Sequence, residues 1–171
     1  MILHRFSEVY VAGVEDYVEY IRVHCNMDEP QSDIIHSKVL DHKKYVSIIS
    51  RDSGKILLFR NCIKENVGYA ILRYERTVLC GTVVYIDDFK YSKEYMSSNS
   101  IKSIMKAVEI LSPKQSQRIR IIVKNLSDEF AQLLVGCGFV IIKVLSKSTM
   151  FERKLDNVFC REDRTRGLRY F

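Results

Sequence analysis

Apolar residues in the first part of the chain recur with the spacing of helices. A short strand-like stretch at residues 2–6 comes first. A helix is then indicated by apolar residues at positions i, i+3, i+4 and i+7, namely Val14, Tyr17, Val18 and Ile21. The acidic residues and proline at 28–30 end this helix, and Ser32-Asp33 predicts the cap of a second helix over residues 34–40. The pattern predicts two helices before the main sheet.

The middle of the chain is rich in strand-forming residues. Residues 46–50 and 55–62 are separated by Arg51-Asp52-Ser53-Gly54, which supplies turn residues, so they predict a hairpin. Residues 67–74 predict the next strand, and the run at 78–89 is long enough for a central strand. We expect these strands to form an antiparallel meander.

The second half alternates between helix and strand. One helical face is formed by Ile101, Ile104, Met105 and Val108. Ser112-Pro113 ends that helix, and residues 118–124 predict a strand. Ser127 and two acidic residues begin a short helix, which Gly136-Cys137-Gly138 ends. Residues 139–145 and 149–153 predict two further strands.

Composition restricts the class of protein. A chain of 171 residues that is 47% hydrophobic suits one domain with a sizeable core. Five cysteines without close pairing, and no leader-like start, indicate a reduced, cytoplasmic protein. No run of about 18 apolar residues occurs, so no membrane helix is expected. No metal is predicted, because no common zinc-ligand spacing occurs among His24, Cys25, His36 and His42, which we interpret as helical surface residues.

The net charge of +6 suits an anionic ligand or nucleic acid, and a solvated basic surface explains it equally well. The segment 154–171 is rich in arginine and acidic residues and ends in Tyr170-Phe171. These terminal aromatic residues indicate docking on the domain or on a second subunit, which makes a homodimer possible. An undocked charged tail is the alternative.

Three local sequences carry a resemblance to a known family. They are Asn66-Val67-Gly68-Tyr69-Ala70-Ile71-Leu72, Phe89-Lys90-Tyr91-Ser92-Lys93-Glu94-Tyr95 and Val135-Gly136-Cys137-Gly138-Phe139. With the order of elements, they make residues 1–153 resemble the GCN5-related N-acetyltransferase (GNAT) superfamily. The resemblance implies an α/β (α+β) fold: a single GNAT-like domain with a mixed, mostly antiparallel twisted sheet flanked by helices. Residues 154–171 would follow as a charged tail.

The resemblance implies acetyl-CoA as cofactor. In the family, a Q/R-x-x-G-x-G/A loop holds the cofactor pyrophosphate on backbone N–H groups at a helix start. Here the three motif positions are Met96, Asn99 and Ile101, so both glycines are absent. Asn99 tolerates left-handed geometry. Ile101 should crowd the cofactor unless its side chain turns into the core.

Other residues near this loop are implied as cofactor contacts. Serine hydroxyls could add contacts to a phosphate at Ser97, Ser98 and Ser100. The pantetheine arm is implied to lie along the backbone of Phe89, Lys90 and Tyr91.

Acyl transfer to an amine needs a base, and often an acid for the departing thiolate. The family's tyrosine acid corresponds to Leu134, which has no proton to give. The position of a frequent strand carboxylate carries Tyr85, which is a second candidate catalytic residue. Asp87 follows two residues later on the same strand face and is our candidate base, whereas Asp88 is expected on the other face. A solvated strand end is the alternative interpretation of the two aspartates.

Three functions remain open. The first is transfer of an acetyl (acyl) group from acetyl-CoA to an unidentified amine by direct attack. The second is a catalytically inactive GNAT-fold module that binds a protein partner, which the missing loop glycines and acid would fit. The third is a basic domain that binds nucleic acid.

Overall fold

A computed structural model describes residues 6–26, 39–79, 81–95, 97–124 and 126–155. The strands are β1 (Phe6–Val11), β2 (Gly54–Asn61), β3 (Asn66–Thr77), β4 (Gly81–Tyr91), β5 (Ser116–Lys124), β6 (Val140–Leu145) and β7 (Ser148–Lys154). The α-helices are α1 (Tyr17–Asn26), α2 (His42–Ile49), α3 (Ser98–Leu111) and α4 (Asp128–Gly136). Short 3-10 turns at Val14–Asp16 and Lys93–Tyr95 precede α1 and α3.

The strands form one 7-stranded sheet in the order β1-β2-β3-β4-β5-β7-β6. Every neighbouring pair is antiparallel except β4 and β5, which are parallel and are connected through α3. The predicted α+β fold class, with a mixed and mostly antiparallel sheet, is confirmed.

Helices α3 and α4 cover one face of the sheet, and α1 and α2 cover part of the other, so β2 and the first half of β3 are largely buried on both sides. On the α3/α4 face, Leu57 and Phe59 of β2 pack in a large cluster with residues of both helices. On the α1/α2 face, Ile56 and Leu58 pack in a second cluster with Tyr20 of α1 and other residues of both helices. Alternate residues of one strand therefore supply both cores.

Gly68 of β3 lies where backbone approaches closely. A Cβ at this position would lie 2.7 Å from the Lys90 carbonyl oxygen and 2.7 Å from Phe59 Cδ2. The glycine of the Asn66–Leu72 sequence is therefore required by packing between β2, β3 and β4.

The structure corrects the prediction for residues 46–50, which belong to helix α2 and its end rather than to a strand. Asp41 caps this helix, with its carboxylate accepting from the Lys44 N–H at 2.8 Å. Tyr45 is fully buried and holds the helix against the sheet. The helix predicted over residues 34–40 falls largely outside the described residues, and Val39 and Leu40 are not helical.

Beyond α1 and α2, the same face of the sheet carries an ionic cluster that joins β5 to β7. Glu152 is 5% exposed and accepts hydrogen bonds from Arg118 and, at 2.7 Å, from Arg120 Nε. Burial by itself raises the pKa of Glu152, but the bonds from the two guanidinium groups outweigh it and hold the pKa below its ordinary value. The ionised carboxylate therefore stabilises the fold.

Replacing Glu152 by alanine should lower the free energy of unfolding by roughly 2–3 kcal/mol, less than the loss from breaking a fully buried pair, because Arg118 and Arg120 remain 29% and 21% exposed. Urea denaturation at neutral pH measures the loss. The contribution of Glu152 is present above the unfolded carboxyl pKa of about 4.3 and is lost as pH falls through the lower folded value.

Glu75→Ala is the control, because Glu75 pairs with Arg73 at the surface and is 50% exposed. Its loss should stay within about 1 kcal/mol. Equal losses for the two variants would contradict a stabilising role of the Glu152 cluster.

Candidate functional site

The parallel strands β4 and β5 separate at their carboxyl ends. Among the described residues, their last pair is Ile86 opposite Ile121. β4 then continues to Tyr91 beside β3, and β5 continues to Lys124 beside β7. Ligands of open α/β sheets bind at the carboxyl ends of parallel strands. This opening, called here the β4/β5 gap, is therefore the candidate site.

A β-bulge in β4 lies directly after that last pair. Ile71 of β3 lies opposite Asp88, whereas Leu72 lies opposite Ile86, so Asp87 is an extra residue. The extra residue shifts the alternation of faces and brings Asp88 to the α1/α2 face, where Ile71 also packs. The prediction that Asp88 points away from the face of Asp87 was wrong, because it assumed an unbroken alternation.

Asp87 and Tyr85 share the α1/α2 face and are joined by Arg73. Arg73 Nε and Nη2 donate to the Asp87 carboxylate at 2.7 and 3.2 Å. The Arg73 guanidinium carbon lies 4.4 Å from the centre of the Tyr85 ring, and Arg120 donates to the Tyr85 hydroxyl at 3.0 Å. Both Asp87 oxygens therefore already accept hydrogen bonds from a guanidinium group. The catalytic roles of Asp87 and Tyr85 stay predictions.

Asp88 belongs to a buried hydrogen-bonded triad that sequence reasoning missed. Its Oδ1 accepts from the Phe89 N–H at 2.9 Å, and its Oδ2 accepts from the Tyr69 hydroxyl at 2.7 Å. The Tyr69 hydroxyl lies 2.8 Å from His24 Nδ1. The His24–Tyr69–Asp88 triad thus links α1, β3 and β4 beside the gap.

The expectation that His24 lies on a helix surface was wrong, since its ring is half-buried and stacks on Tyr69 with centroids 5.9 Å apart. The available signal was its spacing. His24 follows Tyr17 by seven residues and Tyr20 by four, and both tyrosines pack on the α1/α2-face cluster.

α3 begins shortly after β4 and carries a serine cap. Ser97 Oγ accepts from the Ser100 N–H at 3.2 Å and donates to Ser100 Oγ at 2.9 Å. In the described part of the chain, the N–H groups of Ser98 and Asn99 donate to no other protein group. A helix start with unpaired N–H groups attracts anions. Met96, the first predicted motif position, lies outside the described residues.

This loop takes its shape without glycine. The one non-glycine residue with a positive φ among the described residues is Lys64, at 67°. Asn99 lies in the first turn of α3, so its tolerance of left-handed geometry is not used. Ile101 is fully buried in the α3/α4-face cluster. Its side chain turns into the core, which was the condition for leaving space for a cofactor.

The predicted pantetheine contacts lie on the part of β4 beyond its last pair with β5. Phe89 is fully buried, and its N–H is engaged by Asp88. Lys90 and Tyr91 are half-buried. Burial, with the nearby Glu129 carboxylate of α4, raises the pKa of Tyr91 above its ordinary value.

Leu134, at the position of the family's tyrosine acid, is fully buried in the same cluster as Phe89 and Phe130. It contributes to packing and has no group that can transfer a proton.

Within the described residues, no group of three or more His, Cys, Asp or Glu side chains could hold a metal ion. His36, one of the residues considered for zinc, lies outside those residues. No helix in the described ranges combines the length and apolar character that crossing a membrane requires.

Comparisons with known proteins give fold-level matches. No family model and no curated protein sequence matches the chain. A GNAT-family acetyltransferase from Listeria monocytogenes matches with a TM-score of 0.64 and 16% identity, over 86% of this chain and 94% of that one. A Vibrio cholerae spermidine N-acetyltransferase solved with CoA and spermine matches at 0.66 and 10%, over the same shares of 86% and 94%.

A Thermoplasma acidophilum PaiA N-acetyltransferase solved with coenzyme A matches with a TM-score of 0.65 and 15% identity, over 86% of this chain and 98% of that one. Identities at this level establish the fold and leave function to be argued from the site. The protein has the fold of the GCN5-related N-acetyltransferase superfamily, which confirms the resemblance seen in the sequence.

Replacing Ile101 by alanine should lower the free energy of unfolding by about 2–5 kcal/mol, the usual cost of emptying a buried aliphatic site. Ile101 is 0% exposed, whereas its neighbour Lys102 is exposed. Lys102→Ala should therefore change stability by no more than about 0.5 kcal/mol. Urea denaturation of both variants measures the difference, and a neutral Ile101→Ala would show that this side chain does not belong to the core.

Proposed function

We propose that the protein is an N-acetyltransferase that moves an acetyl group from acetyl-CoA to an amine by direct attack. The observation that carries this proposal is the β4/β5 gap at the carboxyl ends of two parallel strands, with the start of α3 following the end of β4. The fold is that of proteins solved with CoA, one of them also with spermine. The proposed domain is residues 1–153, and residues 154–171 are its charged tail.

The residues at the start of α3 fit an anionic group. The unpaired N–H groups of Ser98 and Asn99 and the positive end of the helix dipole would hold the pyrophosphate of the cofactor. Ser97 and Ser100 hydroxyls lie in the same turn. Met96 and Ile101 complete the predicted loop, with Ile101 supporting it from the core.

The extended end of β4 fits the pantetheine arm. Because the Phe89 N–H is engaged by Asp88, the backbone groups of Lys90 and Tyr91 are the remaining candidates for contact with the arm's amides. When bound, acetyl-CoA supplies an activated acyl group as a thioester. The protein's part is to hold that group in the gap, exclude water and accept the proton of the attacking amine.

A catalytically inactive interaction module is the second candidate. Two observations favour it: Leu134 stands where the family has an acid, and Asp87 is bound by Arg73. Nucleic-acid binding gains little support, because Arg73, Arg118 and Arg120 each pair with a carboxylate on the exposed sheet face.

Titration of the purified protein with acetyl-CoA and desacetyl-CoA tests the proposal. We expect micromolar binding by calorimetry and a rise in melting temperature, because a ligand that binds only the folded state stabilises it. Ser97→Asp should keep the helix cap but place a negative charge beside the pyrophosphate, weakening binding tenfold or more, which is about 1.4 kcal/mol.

Ser53→Asp is the matched control, since this exposed serine lies in the turn before β2, near the opposite end of α3. α3 has 14 residues and is about 21 Å long, well beyond the screening length of about 8 Å. Equal weakening by both variants would contradict a phosphate site at Ser97. Absence of binding at millimolar cofactor would overturn the acetyltransferase proposal and leave the inactive module.

A further inference from the structure

The Tyr69 hydroxyl is the centre of the buried triad, and its bonds fix where each proton lies. It donates its single proton to Asp88 Oδ2 at 2.7 Å. Tyr20 accepts from the Leu40 N–H at 3.1 Å, and its ring packs edge-on against the Tyr69 ring with centroids 5.0 Å apart. With its proton committed to Asp88, Tyr69 can only accept from its other neighbours.

This arrangement selects one tautomer of His24. The 2.8 Å contact between His24 Nδ1 and the Tyr69 hydroxyl requires a proton on Nδ1, because the hydroxyl has none to give. A neutral imidazole carries one N–H, so Nε2 keeps its lone pair. In the described part of the chain, Nε2 has no hydrogen-bond partner, and the ring is half-buried rather than enclosed.

The triad lies on the face of the sheet opposite α3, which is the side from which the acceptor amine would reach the gap. α3, where the cofactor phosphates would lie, packs on one face of the sheet, and α1 packs on the other. Asp88 and Lys90 belong to the part of β4 beyond its last pair with β5. A ligand that runs from the start of α3 through the gap therefore emerges on the face that carries His24.

We propose that His24 is the general base of the reaction and that Tyr69 and Asp88 are positioning residues that orient its ring and stabilise its protonated form. This inference rests on the proposed function. The amine nitrogen uses its lone pair to form the bond to the acyl carbon, and its proton passes to His24 Nε2. The bond from that carbon to sulfur breaks with its electron pair on sulfur. The His24 imidazolium, which then has a proton on both nitrogens, returns one to solvent.

The charged and titratable groups around His24 suit this role. They are Tyr20 on its own helix, Tyr69 on β3, and Asp88 and Lys90 on β4. Burial lowers the pKa of His24 below its ordinary value, Lys90 adds to this effect, and Asp88 opposes it. His24 is therefore neutral at pH 7 and available as a base. Activity should rise with pH through a pKa below about 6.5.

The kinetic test compares His24→Gln with His42→Gln. His42 is an exposed histidine on α2 that packs on Tyr17 and is not part of the triad. Initial rates of CoA release are measured against pH with a polyamine, a lysine peptide and a peptide with a free N-terminus. We expect His24→Gln to lower kcat by about 10²- to 10⁴-fold and to leave CoA affinity unchanged. The fall in rate at low pH, which is the acidic limb of the pH–rate profile, should disappear. His42→Gln should match the wild type in all three measurements.

Tyr69→Phe separates positioning from catalysis. It leaves His24 in place but removes the group that fixes its tautomer, so kcat should fall by roughly 10- to 100-fold and the pKa of the acidic limb should move. If Tyr69→Phe unfolds, His24→Gln still decides the question, because the half-exposed His24 can be replaced without leaving Asp88 unpaired.

Nitrogen NMR of the imidazole tests the tautomer without any activity. In the wild type at pH 7.5, His24 should show a protonated Nδ1 and a bare Nε2. The opposite tautomer would overturn the inference. An active wild type whose His24→Gln variant keeps its rate and pH profile would overturn it while leaving the proposed function intact. A wild type that binds no CoA and transfers to none of the amines would overturn the proposed function, and the base role with it.

Discussion

A carboxylate buried in a protein core must be hydrogen-bonded on both oxygens, and this requirement at Asp88 organises the centre of the structure. Asp88 is 1% exposed, and its two oxygens accept from the Phe89 N–H and the Tyr69 hydroxyl. Tyr69 in turn contacts His24, so α1 is held to the sheet by oriented hydrogen bonds as well as by apolar packing. Apolar packing alone would tolerate sliding of α1, whereas the triad fixes its register against β3 and β4.

The bulge that brings Asp88 to the α1/α2 face lies directly after the last pair of β4 with β5, where the gap opens. β4 follows β3 through the bulge, while β5 stays in regular antiparallel pairing with β7 up to Lys124. The bonds from Arg118 and Arg120 to Glu152 strengthen that second pairing on the same face. Each strand is therefore held to its outer neighbour, and the parallel pair separates between them. A gap kept open by two well-paired sheet halves is suited to admit an extended ligand.

The sequence predicted the regular parts of this structure because local spacing determines them. The α3 face with Ile101 and Ile104 follows from periodicity, and the antiparallel meander follows from the strand-forming runs. The mixed sheet was implied by the family resemblance. The strand predicted at residues 46–50 was wrong because a short apolar run fits a helix and a strand equally, and Asp41, which caps the helix, is the local signal that distinguishes them. The direction of Asp88 depends on a bulge, which no local pattern reveals. His24 lies 45 residues from Tyr69 in the chain, so their contact emerges only when α1 packs on β3.

The absence of loop glycines has less weight as evidence of lost function than the sequence suggests. Glycine serves a phosphate loop where φ must be positive or where a side chain would block the anion. Ser97 has an extended φ of −133°, the residues that follow are helical, and Ile101 is buried in the core, so neither need arises among these residues. The donors that hold a phosphate are backbone N–H groups, and those of Ser98 and Asn99 are present. The stronger argument for inactivity is Leu134, because a buried leucine cannot give a proton to a leaving thiolate. A thiolate is a good leaving group near neutral pH, however, so the reaction depends more on removing the amine proton than on supplying one to sulfur. The chemistry that the chain retains, a neutral histidine oriented by a buried carboxylate, serves that step.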